Sequence, residues 1–285
     1  MQYETTLSLS DDPVAQAKSA FGILNAGAAA WAFAEHAERL ARVFGVDVVS
    51  TPRPYNYVLA YDEPAELGEG TSFVPQDGIA VAADKREIAR CFHRAVVCTP
   101  HTYLVDTPAE VEAIVSTSRD CEWCLKWPTS CGAAGHRLLI SDEVVPENWP
   151  RPYVVQEFIR QESPEVFRTY GVGGSMIGWV VRRFDAEAAW SPWVAHARGA
   201  HYADAGALPP DAAKQAQRAL EATGLWPTFG CVDLLRAPDG SWLVLEVGTD
   251  GLWGYVDRDL GLPALEQQLD AALAHAFLTW CHESY

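Results

Sequence analysis

Two periods of apolar and polar positions alternate along the chain, and together they predict a mixture of helices and strands. The apolar runs at 19–24, 46–49 and 57–61 predict short strands, and the alanine-rich segment after Gly27 predicts a helix to about Phe44. Strands separated by a helix in this order indicate a small parallel α/β lobe in the first part of the chain.

The pattern changes at about residue 84, where longer helices and more strands begin. A helix is predicted over 84–94, and Thr107 with Glu110 has the spacing of a capping box that starts the next helix. Further strands are predicted at 123–127, 137–140, 153–159, 167–172 and 176–183. The last three are expected to form one antiparallel sheet. Two helices, from Pro210 and from Pro263, complete the pattern.

The most informative stretch is 232–248, which predicts a β-hairpin around the turn Pro238-Asp239-Gly240. Asp233 and Glu246 lie on opposite arms, where strand pairing brings them side by side. Two facing carboxylates repel unless a cation neutralises them, and hard oxygen ligands of this kind suit Mg²⁺. The hairpin is therefore a candidate metal site; the alternative is an ordinary hairpin with two solvated carboxylates.

Composition and charge narrow the class of protein. The 285 residues are 49% hydrophobic and 21% charged, which is typical of a globular chain, and the net charge of −17 argues against a nucleic-acid-binding protein. We find no apolar run long enough to cross a bilayer, so no membrane partner and a cytoplasmic location are expected. An odd number of cysteines, 7, favours reduced thiols.

A lysine followed by small residues forms a candidate phosphate site. Lys126 ends a predicted strand, and the loop 127–135 contains Ser130, Gly132 and further small residues. Small residues let backbone N–H groups approach a phosphate closely, and the lysine adds a positive charge. The alternative is a plain turn. His136 after the loop is interpreted as a solvated side chain; the alternative is a contact with phosphate.

Two more strand ends carry candidate chemistry. Gln156, Glu157, Phe158 and Ile159 combine polar groups with apolar faces that could hold a purine ring, unless they form a polar edge strand. Arg182 and Arg183 point to opposite faces of one strand, so one of them could neutralise a transferred phosphoryl group and the other is a surface charge.

The order of these features resembles that of the ATP-grasp superfamily over roughly residues 85–255. The resemblance implies that Lys85 and Lys126 hold the phosphates of ATP and that loop 129–135 covers them. It implies that the segment from Gln156 to Ile159 takes the adenine and that Asp233 and Glu246 bind Mg²⁺. Members join a carboxylate to an amine through an acyl-phosphate and release ADP.

Two positions depart from the pattern of that superfamily. Gly248 stands where an asparagine usually supplies a second metal ligand, and Asp250 is the candidate replacement. Val166 stands where an acidic residue often holds the ribose, and Glu165 or Glu162 are the candidate substitutes.

The segment 246–255 is similar to the corresponding segment of ribosomal-peptide ligases of the microviridin type. The positions that keep their pattern are Glu246, Gly251 and Trp253. Trp253 and Tyr255 are interpreted as core residues or as an acceptor wall. Arg198, in a segment that such ligases place near the acyl-phosphate, could bind a substrate carboxylate; the alternative is an exposed loop.

These observations predict an α/β chain with an ATP-grasp fold: a small N-terminal α/β lobe (1–84), a central lobe (85–155) and a C-terminal lobe (156–285). The predicted activity is that of an ADP-forming carboxylate–amine ligase that uses ATP and Mg²⁺ on amino acids or peptides. The resemblance also suggests a homodimer. Two alternatives stay open: an ester- or amide-forming peptide macrocyclase, and a degenerate ATP-binding regulatory member without turnover.

Overall fold

The structure, a computed structural model, describes residues 19–28, 30–60, 67–68, 70–117, 120–130, 132–139, 145–146, 148–188, 191–249, 253–261 and 264–284. The chain divides into two units, one formed by the residues up to Val74 and from Ala274, the other by Pro75–Leu273. The division into three lobes with boundaries after 84 and 155 stays a prediction. None of the helices in the described ranges combines the length and apolarity of a membrane span.

The first unit contains a parallel sheet, as its strand–helix–strand order predicts. Its strands lie in the order β2-β1-β3-β4 and comprise β1 (Phe21–Asn25), β2 (Asp47–Val49), β3 (Tyr55–Ala60) and β4 (Thr71–Ser72). Helix α1 (Ala34–Phe44) follows a 3₁₀ turn and ends at Gly45. Gly45 has φ of 69°, in the left-handed region that glycine adopts without a steric penalty because it has no Cβ. Phe44 stacks on Phe277 at 5.3 Å between ring centroids.

The second unit holds the remaining elements. Its helices are α2 (Gln76–Ala83), α3 (Lys85–Ala95), α4 (Pro108–Thr117), α5 (Pro210–Ala222), α6 (Gly254–Leu260) and the first part of α7 (Ala264–Ser284). Its strands are β5 (Thr102–Val105), β6 (Glu122–Lys126), β7 (His136–Leu139), β8 (Tyr153–Phe158), β9 (Glu165–Val172), β10 (Ser175–Arg183), β11 (His201–Asp204), β12 (Phe229–Arg236) and β13 (Trp242–Gly248). They form two antiparallel sheets.

The four-stranded sheet has the order β5-β8-β6-β7 and separates a core from the candidate site. Side chains alternate between the two faces of a strand, so Trp123 and Leu125 pack on Val111 of α4 while Cys124 and Lys126 face the other way. The predicted capping box is present at the start of α4. The Glu110 N–H donates to Thr107 Oγ1 at 3.3 Å, and the Thr107 N–H donates to Glu110 Oε2 at 2.9 Å.

The five-stranded sheet has the order β11-β10-β9-β12-β13 and corrects one prediction. The three runs from 153 to 183 were expected to form one sheet, but only β9 and β10 belong to this one. Both edges of β8 are occupied, by β5 and by β6, so no edge of β8 is left for pairing with β9. Strand β11 and helices α2 and α6, which are short or lack a clear period, were not predicted.

Two facing glycines let helix α5 approach the five-stranded sheet. Gly171 of β9 pairs with Gly230 of β12. A Cβ at Gly171 would lie 2.4 Å from Leu220 Cδ1, and one at Gly230 would lie 2.6 Å from Leu220 Cδ2. Leu220 is fully buried, so its side chain has little room to move. The absence of a Cβ at these two residues, the glycine pair, therefore leaves the space that the Leu220 side chain fills.

Candidate functional site

Residues of both antiparallel sheets line a cavity of about 630 Å³ in the second unit. It brings together most of the predicted site residues: Lys85, Lys126, Ser130, Gly132, Gln156, Glu157, Phe158, Ile159, Arg182, Asp233 and Glu246. Glu165, Arg183 and Arg198 are described but do not line it. Asp250 lies outside the described residues.

The two lysines predicted to hold phosphates both reach this cavity. Lys85 is the first residue of α3, and its Nζ donates to the carbonyl oxygen of Ser130 at 2.5 Å and lies 3.8 Å from Glu246 Oε2. Lys126, the last residue of β6, is buried, and burial lowers its pKa below the ordinary value. The nearby charge of Lys85 lowers it further, while Glu246 opposes that effect. An anion in the cavity would relieve the repulsion between the two lysines.

The loop between β6 and β7 has the close approaches that its glycines suggest. Gly132 has φ of 60°, and a Cβ at Gly135 would lie 2.1 Å from Trp127 Cβ. Lys85 contacts the loop with its backbone as well, because its N–H donates to the Pro128 carbonyl oxygen at 2.9 Å. The loop is thus held from the start of α3 at two points.

The segment at the end of β8 supplies apolar surface together with polar groups. Gln156 is buried, and its Nε2 donates to Thr102 Oγ1 at 2.9 Å. The Glu157 N–H donates to the His101 carbonyl oxygen at 2.8 Å. Phe158 packs against Trp193 with ring centroids 5.5 Å apart. This wall of the cavity has the mixed character expected for a purine site.

A row of polar side chains crosses the five-stranded sheet, with one residue from each strand: Tyr202, Arg182, Arg168, Asp233 and Glu246. Asp233 is the register partner of both Arg168 and Glu246, which places the two carboxylates side by side as predicted. Arg182 and Arg183 point to opposite faces. Arg182 reaches the cavity, whereas the half-exposed Arg183 pairs with Glu165 at 3.5 Å.

Asp233 is held by two arginines. Arg168 donates from Nε to Oδ1 at 2.7 Å and from Nη2 to Oδ2 at 3.0 Å, and Arg182 Nη2 also donates to Oδ2. Burial raises the pKa of Asp233, but the charges of Arg168 and Arg182 outweigh it and hold the pKa below its ordinary value. Because Asp233 is 3% exposed, the alternative of a solvated carboxylate is wrong for this residue.

Arg168 was not among the predicted site residues. It lies in β9 and reaches the cavity. Burial lowers its pKa, but the charge of Asp233 outweighs burial and raises the pKa well above its ordinary value. The signal in the sequence is a charged residue inside an otherwise apolar strand, which is seldom buried unless it is paired.

His136 lines the cavity and corrects another expectation, since it is not solvated. It is the register partner of Lys126, and its ring lies 5.1 Å from that of Trp193. Burial first, and then the charges of Lys126, Lys85 and Arg198, lower its pKa to about 2. Its Nε2 is buried and has no hydrogen-bond partner among the described residues.

The segment 191–202 also contributes to the site, although no sequence motif marks it. Trp193, His196 and Tyr202 line the cavity, and Arg198 Nη2 donates to the Ala133 carbonyl oxygen at 3.0 Å. Arg198 therefore contacts the small-residue loop in this structure, and its predicted contact with a substrate carboxylate stays untested.

Comparison with known proteins identifies the fold. No protein-family model matches the sequence, and no curated protein sequence is significantly similar to it. The ligase PsnB, in complex with a minimal precursor, Mg and ADP, superposes with a TM-score of 0.65 at 12% identity over 92% of this chain and 97% of that one. The D-alanine–D-alanine ligase of Bacillus anthracis gives 0.62 at 12% identity, over 93% and 97%. Both are ligases by name, and PsnB is named an ATP-grasp ligase. The chain has the ATP-grasp fold.

The predicted resemblance to the ATP-grasp superfamily is thus confirmed at the level of the fold. The macrocyclase MdnB from Microcystis aeruginosa MRC is also similar, with a TM-score of 0.51 at 18% identity over 74% of this chain and 64% of that one.

The structure distinguishes between the two interpretations of Trp253 and favours the core. Trp253 does not form an acceptor wall, because it is fully buried and its Nε1 donates to Asp270 Oδ1 at 3.0 Å. It packs on Phe229 with ring centroids 5.5 Å apart. The side chain of Tyr255 lies outside what the structure describes.

The residues expected to bind Mg²⁺ in this cavity fit that ion in part. Glu246 suits it, since its side chain is 40% exposed and lines the cavity beside Lys85. Mg²⁺ needs few protein carboxylates when phosphate oxygens complete its shell. Asp233 suits it less, because both of its oxygens accept hydrogen bonds from arginines. No cluster of three or more metal-ligating side chains occurs in the described part of the chain.

Proposed function

We propose that the protein is an ATP-dependent ligase that activates a carboxylate and joins it to an amine with release of ADP. The observation that carries the proposal is the single cavity in which two lysines, two buried arginines and the Glu246 carboxylate converge beside an apolar wall. That combination suits a nucleotide whose terminal phosphoryl group must be transferred.

The proposed chemistry has two steps. A substrate carboxylate oxygen attacks the terminal phosphorus of ATP, the bond to the bridging oxygen breaks, and ADP leaves. The amine nitrogen then attacks the acyl carbon, phosphate leaves, and the nitrogen loses a proton. A carboxylate needs such a step because its oxygen is otherwise a poor leaving group. Positive charges reduce the cost of placing anions together.

Each group of this chain has a part in the proposal. Lys85 and Lys126 bind phosphate oxygens, Arg182 stabilises the charge of the transferred group, and the β8 wall from Gln156 to Ile159 holds the adenine. Glu246 would hold Mg²⁺, which supplies charge neutralisation when bound. The loop 127–135 and Trp193 limit the access of water, which would otherwise hydrolyse an acyl-phosphate.

The substrate class proposed is an amino acid or a peptide. PsnB and MdnB, which share this fold, are described with a precursor peptide and as a macrocyclase, respectively. The same likeness favours a second candidate, a macrocyclase in which a side-chain hydroxyl or amine of one peptide is the nucleophile. The two candidates share ATP and differ only in the acceptor.

The test is ADP release with Mg²⁺-ATP against pooled amino acids and short peptides, followed by mass spectrometry. Under the first proposal, ADP forms together with a product one water lighter than its two parts. Loss of water within one peptide identifies the macrocyclase. ATP binding without ADP formation across the whole panel contradicts both and indicates a degenerate binding member.

A further inference from the structure

The two carboxylates of the hairpin have different surroundings, although they are register partners. Asp233 is 3% exposed and receives three hydrogen bonds from Arg168 and Arg182. Glu246 is 40% exposed, and its salt-bridge partner among the described residues is Lys85, whose Nζ lies 3.8 Å away, too far for a close hydrogen bond. Glu246 therefore has oxygens available to a ligand, and Asp233 has far fewer.

A metal ion bound to Asp233 would meet a second obstacle. Mg²⁺ takes its oxygen ligands at about 2.0–2.1 Å, so an ion on Asp233 would lie close to the guanidinium groups that already contact both carboxylate oxygens. The three positive groups would repel one another in a buried setting. The ion is better accommodated on Glu246, whose oxygens face Lys85 at 3.8 Å rather than two arginines in direct hydrogen bonds.

Asp233 has a clear alternative task, which is to hold two arginines in place. Two buried guanidinium groups repel each other, and a carboxylate between them removes most of that repulsion while fixing their orientation by paired hydrogen bonds. One positive charge is left over from the three groups. Arg182 Nε is buried and has no hydrogen-bond partner among the described residues, and its guanidinium stacks over Tyr202 at 5.6 Å from the ring centroid. Arg168 and Arg182 both line the cavity, so the leftover charge favours an anion there.

We propose that Asp233 is a positioning residue that orients Arg168 and Arg182 to bind an oxyanion, the terminal phosphoryl group of ATP, and that Glu246 rather than Asp233 binds the metal ion. This assignment rests on the proposed use of ATP. It gives the two neighbouring carboxylates separate tasks and makes Arg168 part of the binding machinery.

Metal binding is the first test. Mn²⁺ replaces Mg²⁺ as the probe, and its affinity for the ADP complex of the protein is measured by electron paramagnetic resonance for the wild type, Glu246→Gln and Asp233→Asn. We expect Glu246→Gln to weaken Mn²⁺ binding by about tenfold or more, and Asp233→Asn to change it less than about threefold. Equal weakening in both variants would overturn the assignment.

Arg182→Gln provides a second test that does not depend on the folding of an Asp233 variant. Asp233 keeps both hydrogen bonds from Arg168 in this variant, so its charge stays paired. Under our assignment the affinity of Mn²⁺ for the ADP complex stays within about threefold of that of the wild type. If Asp233 were a metal ligand, the loss of a competing cation would strengthen Mn²⁺ binding, and that result contradicts the proposal.

Nucleotide selectivity separates positioning from a merely structural role. The ratio of affinities for a non-hydrolysable ATP analogue and for ADP is measured in the wild type, Arg182→Gln and Asp233→Asn. We expect both variants to lower this ratio by about tenfold, the effect of one charge-assisted hydrogen bond. A general folding defect weakens both nucleotides equally and leaves the ratio unchanged, which would overturn the proposal. A wild-type protein that binds no ADP would instead remove the proposed function itself.

Discussion

Lys85 Nζ donates to the carbonyl oxygen of Ser130 at 2.5 Å, so the first residue of α3 holds the small-residue loop that follows β6. The Lys85 N–H contacts the same loop at Pro128. A lysine that both binds the loop and faces the cavity couples loop position to the charge in the site. Four predictions follow from this arrangement and its neighbours, beside the tests given with each proposal.

The first prediction concerns the position of the loop. In Lys85→Ala the bond to Ser130 is lost, and a hydrogen bond from a charged donor contributes about 1.5–3 kcal/mol. We expect faster hydrogen exchange in 127–136 while exchange in the core strands is unchanged. Lys214→Ala, on an exposed position of α5, is the matched control. Unchanged exchange in the loop would show that Lys85 does not hold it.

The second prediction concerns turnover. Lys126→Ala and Glu246→Ala each remove a charge that faces the cavity, and we expect ADP release to fall about 100-fold or more in each. Steady-state ADP release with the substrates found above is the measurement, and Lys214→Ala again serves as the control. Full activity in either variant would contradict the proposed function.

The third prediction concerns the glycine pair, Gly171 and Gly230, against which Leu220 packs. Gly171→Ala places a methyl group against Leu220, and overpacking of this kind costs about 1–3 kcal/mol in the free energy of unfolding. The double variant Gly171→Ala/Leu220→Ala removes the clash. In denaturant unfolding it should therefore lose less stability than the sum of the losses in the two single variants. Strict additivity would mean that the two side chains do not compete for this space.

The fourth prediction concerns pH. Burial lowers the pKa of His136 to about 2 from 6.5, so the unfolded chain takes up the proton first as the pH falls. The folded state gains nothing from this residue above pH 6.5 and loses stability below it, by about 2 kcal/mol between pH 6.5 and 5.0.

The variant His136→Phe keeps a ring beside Trp193 and removes the titrating group. We therefore expect the melting temperature of the wild type to fall more between pH 7.5 and 5.0 than that of His136→Phe. The variant His101→Phe, at an exposed position, should behave like the wild type. Equal decreases in the wild type and His136→Phe would show that His136 does not stay neutral in the folded protein.

Local signals in the sequence predicted most of the long elements. The capping box at Thr107, the hairpin around Pro238-Asp239-Gly240 and the parallel strand pairing of the first unit are all present as expected. Elements without a strong period, such as β11 (His201–Asp204) and α2 (Gln76–Ala83), were missed because their formation depends on the surfaces they pack against.

The candidate site divides in the same way. Lys126, Gln156, Arg182, Asp233 and Glu246 stand at strand ends or in a recognisable hairpin, so their positions along the chain indicated a shared site. Arg168 and His136 gave no such signal. Each lies within a strand or at its edge, and it reaches the cavity only because the sheet register places it beside Asp233 or Lys126.

The sequence by itself determined the fold class, the register of the two hairpin carboxylates and a set of site residues most of which line the cavity, because short-range periodicity and turn chemistry are local properties of the chain. The tertiary structure alone decided the partners of those charges. Arg168 and Arg182 meet Asp233 across 65 and 51 residues of chain, and Lys85 meets Ser130 across 45. Coulomb interactions depend on distance in space and on burial, and neither can be read from spacing along the chain.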